Sequence, residues 1–388
     1  METGESPLPT SSPIDSRPTS SSPVKWRHER LAYIKVKEMK THYEAVNSCQ
    51  FCGDSDDEKI LTASDDKTLA IWDPHTGLQL QGFSGHQKSV SSCHFIKITN
   101  RIASASWDKS LKLWNVETGK EMWSACHNGL LLSCHTSEDG RLAMAAGDDR
   151  TLNIWDINSG ELVTCLKGHT NTVTCCRFGA EGNNYASSSM DRTARIWDSR
   201  MTRTKLTLRK HTNAVTSCCF TPNGRQLCTS SWDKNVLLWD IATGRYRLEG
   251  PMIFKGHEGN VSSCITSTDG SMIVSASFDE SIIVWDTNTA REKLKLKGHE
   301  GWVIDCDLST DGNWIVSSSK DKMIRLWNIE DVDEIAYMYA KRSENNLGLK
   351  IVLCENCGKQ FAATAHGAGN LCVFCRLSQP SRSFARLD

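Results

Sequence analysis

The sequence predicts an all-β fold, a seven-bladed β-propeller with a small C-terminal zinc-binding unit, from three observations. Tryptophans recur at Trp72, Trp114, Trp155, Trp197, Trp239, Trp285 and Trp327, at intervals of 42, 41, 42, 42, 46 and 42 residues. A histidine precedes each (His42, His86, His127, His169, His211, His257 and His299) and an aspartate stands six residues ahead of each (Asp66, Asp108, Asp149, Asp191, Asp233, Asp279 and Asp321). Two close cysteine pairs follow the last repeat. A repeat of about 40–45 residues is the length of one four-stranded blade. Blades arranged in a closed ring leave few exposed sheet edges.

The elements follow in chain order. Residues 1–23 hold seven Ser, three Thr and five Pro without apolar periodicity, so this leader is expected to be disordered. The propeller is expected over 32–330, with repeats at about 42–84, 85–125, 126–167, 168–209, 210–255, 256–297 and 298–330. In the fourth repeat the segments TVTCCRF, YASSS, ARIWD and LTLRK alternate apolar and polar residues between turn-forming stretches, which is the pattern of short strands. AYIKVKEM, ahead of the first repeat histidine, alternates in the same way and is expected to supply the outer strand of the last blade. A charged connector over 331–350 leads to a unit at 351–376, and 377–388 is expected to be a disordered tail.

Histidine, serine and aspartate recur together, which invites a catalytic reading. A nucleophile site occurs once, whereas this set recurs in step with the tryptophans. Sets such as His86, Ser106, Asp108 and Trp114, His169, Ser189, Asp191 and Trp197, and His257, Ser277, Asp279 and Trp285 therefore read as a structural network. Buried polar side chains need partners, and a chain from Trp N–H to Ser hydroxyl to His to Asp would supply them. The third repeat departs, with Gly147 at the serine position and Cys126 ahead of His127, so its network is expected to be incomplete.

Of 17 cysteines, Cys49, Cys93, Cys134, Cys176, Cys218, Cys264 and Cys306 each stand seven residues after a repeat histidine. One per blade, they read as small buried hydrophobes. Cys354, Cys357, Cys372 and Cys375 form C-x2-C-x14-C-x2-C outside the repeats. Four thiolates in two close pairs can surround Zn²⁺ tetrahedrally, as a closed structural site that supplies folding energy to a short ribbon-like unit.

Lys+Arg and Asp+Glu number 45 and 46, so no whole-protein field draws the chain to nucleic acid or anionic lipid. No apolar run approaches the roughly 18 residues of a membrane span. The start METGESPLPT lacks the regions of a secretory signal, and the cysteines suit a reducing compartment, so an intracellular location is expected, nuclear or cytoplasmic. There is no repeat-breaking acid/base pair, phosphate loop or open metal site, so no enzyme is expected.

The repeated histidine and Trp-Asp or Trp-Asn landmarks resemble the WD40 family over about three quarters of the chain. The resemblance implies a scaffold that docks protein or peptide partners on the narrow top face. It places three residue classes there: three and five residues after each repeat histidine, and one before each repeat aspartate. The last class gives Asp65, Trp107, Asp148, Met190, Trp232, Phe278 and Lys320; the first two add Trp302, Ile304, Leu130 and Leu132. Exposed aromatics suit a covering partner, with Asp65, Asp148 and Lys320 setting charge complementarity. In the fourth repeat Asp198 and Arg200 make W-D-x-R, which resembles the box by which some propellers bind the adaptor of cullin-RING ubiquitin ligases. A further alternative is nucleic-acid binding by the zinc unit, whose surroundings are mildly basic.

Overall fold

The computed structural model describes residues 37–40, 42–53, 58–180, 182–200 and 203–330, and the backbone alone of 27–28, 35–36, 349–353 and 360–364. The leader, most of the connector, all four paired cysteines beyond the repeats and the tail lie outside the described residues.

Seven antiparallel sheets form the ring. Six of them have four strands in chain order; the fourth blade, for example, runs Val173–Phe178, Asn184–Ser189, Thr193–Asp198 and Thr204–Arg209. The two middle strands are nearly continuous in burial, whereas the outer strand has one buried residue, Leu208, because the middle strands lie between neighbouring blades.

Apolar residues pack between blades rather than at one centre. One cluster joins Val274 and Val284 of the sixth blade to Leu308, Ile315 and Trp327 of the seventh; another joins Met144 and Ile154 to Val173, Phe178 and Trp197. Trp114, Trp197, Trp285 and Trp327 are less than 2% exposed. The seven repeat cysteines are all buried and unbridged, as small core residues.

The seventh blade closes the ring. Its strands Val303–Leu308, Trp314–Ser319 and Met323–Asn328 come from the end of the repeats, and Lys35–Lys40 pairs with the last of them, Glu38 opposite Arg325. A two-residue strand, Arg27–His28, adds to its outer side. Glu38 and Arg325 form an ion pair at 3.1 Å. Lys37, 1% exposed, donates to the carbonyls of Pro74, at 2.6 Å, and His75 in the first blade, so the N-terminal strand is tied to both neighbours.

Every innermost strand carries a register shift, as between Val173 and Cys175. At the bulged position a side chain reaches the next blade. Asn47, Ser91, Thr174, Thr216 and Ser262 donate to the carbonyls of Val90, Leu131, Val215, Val261 and Val303 at 2.6–2.9 Å. Leu132 and Ile304 hold the same position in the third and seventh blades, where no such bond can form; both line the channel. Bulges re-aim side chains, and here they stitch blade to blade.

Candidate functional site

The turns between the second and third strands build one face of the ring. Each ends on a non-glycine residue in the left-handed region: Lys67, Lys109, Arg150, Arg192, Lys234, Glu280 and Lys322, with φ between 66° and 72°. That conformation is strained for these residues, and the preceding aspartate offsets the strain. Asp191 accepts from Thr193 N at 3.0 Å and Thr193 Oγ1 at 2.6 Å, and from Thr170 N of the preceding loop at 3.1 Å. His169 Nδ1 stands 2.8 Å from the same carboxylate, and its Nε2 lies 2.7 Å from Ser187 Oγ. Trp197 Nε1 donates to that hydroxyl at 2.8 Å.

The network therefore exists, with one correction. The hydroxyl joining tryptophan to histidine is Ser104, Ser187 or Ser275, and not Ser106, Ser189 or Ser277. The same place holds Thr62, Thr229 and Ser317 in the first, fifth and seventh blades. Both serines of a strand lie on one face, but only the deeper is within reach of the indole N–H. The shallower one serves the turn: Ser189 donates to Asn171 O at 3.1 Å and accepts from Asp191 N at 3.1 Å. In the third blade both hydroxyls are missing, with Ala145 and Gly147 in their places. There His127 Nδ1 and Asp149 stand 3.5 Å apart, so the expected incompleteness is present.

Burial raises the cost of ionising these aspartates, but hydrogen bonds outweigh it. Thus Asp66 is held at about 2 by His42 and Thr68, and Asp108 at about 2 by Ser110, Gln87 N and His86. Burial also lowers the pKa of His86, His169 and His299 despite their aspartates. The arrangement fixes turns, and the hydroxyls of Ser104, Ser187 and Ser275 within it are fully buried.

These turns, with the loops that lead into each first strand, present the candidate top face. Trp107 and Trp302 are 45% and 54% exposed. Trp232, Phe278, Met190 and Leu130 are half-buried, so these four face solvent less than expected. Phe278 and Trp302 stack across two blades, centroids 4.8 Å apart and 18° between planes. The charged residues are more committed than a free complementary patch would be. Lys320 Nζ binds Asp65 Oδ2 at 3.1 Å, and Asp65 also accepts from Asn47 at 2.7 Å and from Ser89. Burial pushes the Asp65 carboxyl up, but Ser89, Asn47 and Lys320 together hold it below its usual value. Asp148 accepts from Leu130 N at 2.8 Å. The opposite charges at Asp65 and Lys320 thus largely neutralise each other.

The central channel has a volume of about 370 Å³ and is lined by the innermost strands. The residue eight beyond each repeat histidine lines it: Gln50, His94, His135, Arg177, Cys219, Ile265 and Asp307. Several of these staple one blade to the next. Gln50 Oε1 accepts from Phe95 N at 3.0 Å, His135 Nδ1 from Phe178 N at 3.3 Å, and Asp307 Oδ2 from Phe51 N at 2.8 Å. Asp305, one pleat away, accepts from Ser48 Oγ at 2.9 Å. No periodic pattern flags these side chains, because their identity changes from blade to blade.

Burial, with the nearby Asp305 charge, pushes Asp307 up to about 7 against the Phe51 hydrogen bond. Its folded pKa then lies above the usual carboxylate value of about 3.9, so the protonated form stabilises the fold at low pH and that stability is lost as pH rises through 7. Asp307→Asn, which keeps the acceptor for Phe51, is expected to stabilise the protein at pH 8 by on the order of 2 kcal/mol and to change little at pH 4. Urea unfolding of both proteins at the two pH values checks this; an equal shift at both would refute it.

In the W-D-x-R segment Arg200 is exposed and Asp198 half-buried, with Arg200 N donating to Asp198 Oδ1 at 2.9 Å. Cys354, Cys357, Cys372 and Cys375 lie outside the described residues. Among the described residues no group of three or more His, Cys, Asp or Glu could hold a metal, and no helix is long and apolar enough to cross a membrane.

A model of the WD40 family, described as WD domain, G-beta repeat, matches residues 34–73, 77–115, 120–156, 160–198, 202–240, 251–286 and 291–328. WD repeat-containing protein 88 of Homo sapiens is 39% identical over 116 residues, 30% of this chain and 24% of that protein. Apoptotic protease-activating factor 1 of Danio rerio is 29% identical over 104 residues, 26% of this chain and 8% of that protein. Guanine nucleotide-binding protein subunit beta-5b of Danio rerio is 41% identical over 66 residues, 17% of this chain and 16% of that protein. The match thus spans a quarter or less of each relative.

Proposed function

Because this chain belongs to the WD40 family, we propose that it is a non-enzymatic scaffold that docks a protein partner on the face carrying Trp107 and Trp302. The observation that carries the reading is the exposure of these two indoles, 45% and 54%: Trp107 on a turn fixed by Asp108, and Trp302 on the loop before Val303, which Asp321 holds through Glu300 N at 3.2 Å. Large aromatic side chains on a rigid frame are the usual anchors of an interface, since little conformational entropy is lost when they are covered. The Phe278 stack supports Trp302 from one side and leaves it exposed for contact.

The test compares proteins co-purifying with wild type and with a Trp107→Ala/Trp302→Ala variant by quantitative mass spectrometry. Both side chains are surface groups, so the variant is expected to melt within a few degrees of wild type. Hot-spot truncation costs about 2 kcal/mol or more, so a specific partner should fall at least tenfold. An unchanged partner set in a folded variant would reject the reading.

The paired cysteines support a second, structural element of the same scaffold. Strands Leu349–Leu353 and Gln360–Thr364 pair antiparallel with Leu353 opposite Gln360, and the sequence joining them carries Cys354 and Cys357. A hairpin whose connection bears C-x2-C is the context in which two thiolates can converge on one ion, and four soft thiolates suit Zn²⁺. Elemental analysis of purified protein is expected to give one zinc per chain, lost in Cys354→Ser/Cys357→Ser; zinc-free wild type purified without chelator would reject the site.

A further inference from the structure

The central channel has two unlike walls. On the seventh blade, Asp305 and Asp307 are occupied as staples: Asp305 accepts from Ser48 Oγ at 2.9 Å and Cys306 N at 3.0 Å, and Asp307 from Phe51 N at 2.8 Å. On the third and fourth blades the wall is rich in donors. Arg177 reaches into the channel half-buried, and among the described residues no hydrogen bond or ion pair satisfies its guanidinium. Burial disfavours its charge, while the sulfurs of Cys175 and Cys219, and then Asp305 from beyond ion-pair distance, favour it without bonding to it. Cys175 of the fourth blade and Cys219 of the fifth line the channel beside it.

His135 adds a directed donor. Its Nδ1 accepts from Phe178 N at 3.3 Å, so the neutral ring must carry its proton on Nε2. Its ring lies 4.0 Å from that of His94, whose Nδ1 is 2.7 Å from Thr136 Oγ1. Burial and the Arg177 charge keep His94 down at about 3, and burial, His94 and Arg177 hold His135 well below its usual value, so both rings are neutral at physiological pH.

A guanidinium has five N–H donors in a planar fork matched to an oxyanion, and leaving it unpaired in a confined site is costly. The channel's 370 Å³ holds about a dozen waters at ~30 Å³ each, ample for a hydrated oxyanion. Its lining extends to Glu138, Ala180 and Pro222, in the turns between first and second strands, opposite the face that carries Trp107 and Trp302.

We propose that this wall is an oxyanion-binding site, with Arg177 as the bidentate ligand and His135 Nε2–H as the second donor. It takes a phosphate or carboxylate group, either as a free small anion or as an acidic side chain entering from the basal mouth. This site is separate from the docking face and does not depend on it.

The experiment is a titration of full-length protein, with histidine ring resonances followed by NMR, first with inorganic phosphate and then with a hexaglutamate peptide. Saturable shifts of His135 and His94 are expected in wild type, with affinity at least tenfold weaker in Arg177→Gln and intermediate in Arg177→Lys, which keeps the charge but not the fork. Saturation by phosphate alone identifies a small-anion site; saturation by the peptide alone identifies a side-chain socket. Absence of saturable shifts with both probes in wild type overturns the site. So does undiminished binding in folded Arg177→Gln. Should Arg177→Gln fail to fold, Arg177→Lys decides: affinity equal to wild type would also overturn the proposal.

Discussion

Deleting residues 1–40 is expected to cost the ring its closure and most of its stability. The strand Lys35–Lys40 covers the third strand of the seventh blade along five register pairs, Val36 with Trp327 through Lys40 with Met323. Met39, 1% exposed, packs in the cluster of Val46, Trp72, Ile324 and Leu326 that joins the last blade to the first. Truncating a buried methionine alone costs about 2–5 kcal/mol. Arg325, 6% exposed, would also lose Glu38, and Pro74 and His75 would lose Lys37. These losses together rival the roughly 5–15 kcal/mol that stabilises a typical folded protein. The truncated chain should melt tens of degrees lower or associate through the bared edge, because an unpaired strand is a template for another chain. Thermal melts and light scattering read both; a monomer with the wild-type melting curve would show that the ring closes without this strand.

The second large effect separates the blades. Asp191→Ala removes a carboxylate that meets His169, Thr170 N, Thr193 N and Thr193 Oγ1, leaving buried donors unpaired, and is expected to cost about 3–5 kcal/mol. Asp149→Ala removes a carboxylate bonded at 3.1 Å to Thr151 N and 2.8 Å to Thr151 Oγ1, with His127 only at 3.5 Å, and is expected to cost about 1–2 kcal/mol. The Asp191 variant should also depend on pH. The hydrogen bonds that hold Asp191 well below the ordinary carboxylate value, despite its burial, stabilise the fold above pH 4, and that contribution is lost as pH falls through the folded pKa. The cost of Asp191→Ala should therefore shrink in acid. Urea midpoints of both variants measure the contrast; equal losses would mean that the third blade's network is complete after all.

The propeller was legible because one turn recurs in each blade. Asp66, Asp108 and their equivalents must accept the turn's amides wherever the following residue is left-handed, so the sequence repeats the aspartate in step with the tryptophan. The network's membership was less legible. Serine stands at both Ser187 and Ser189 of one strand, and spacing alone does not say which hydroxyl lies at the depth of the indole N–H. The pairing of Asp65 with Lys320 was not legible either, since it joins residues 255 apart that meet only when the ring closes. The channel wall left no periodic signal, because blades that share a frame carry histidine, arginine and aspartate at one and the same position. Repetition thus records what holds the ring together, and the residues that vary against it mark where the chain is individual.

A partner docked on the face bearing Trp107 and Trp302 would shield the backbone amides around both indoles. The most direct measurement is hydrogen exchange of the purified complex against the free chain. Protection is expected around Trp107, Trp232, Phe278 and Trp302, with the outer strands exchanging as in the free protein. Protection confined to outer strands such as Leu162–Lys167 or Arg291–Lys297, with the amides around those four residues unchanged, would contradict docking on this face.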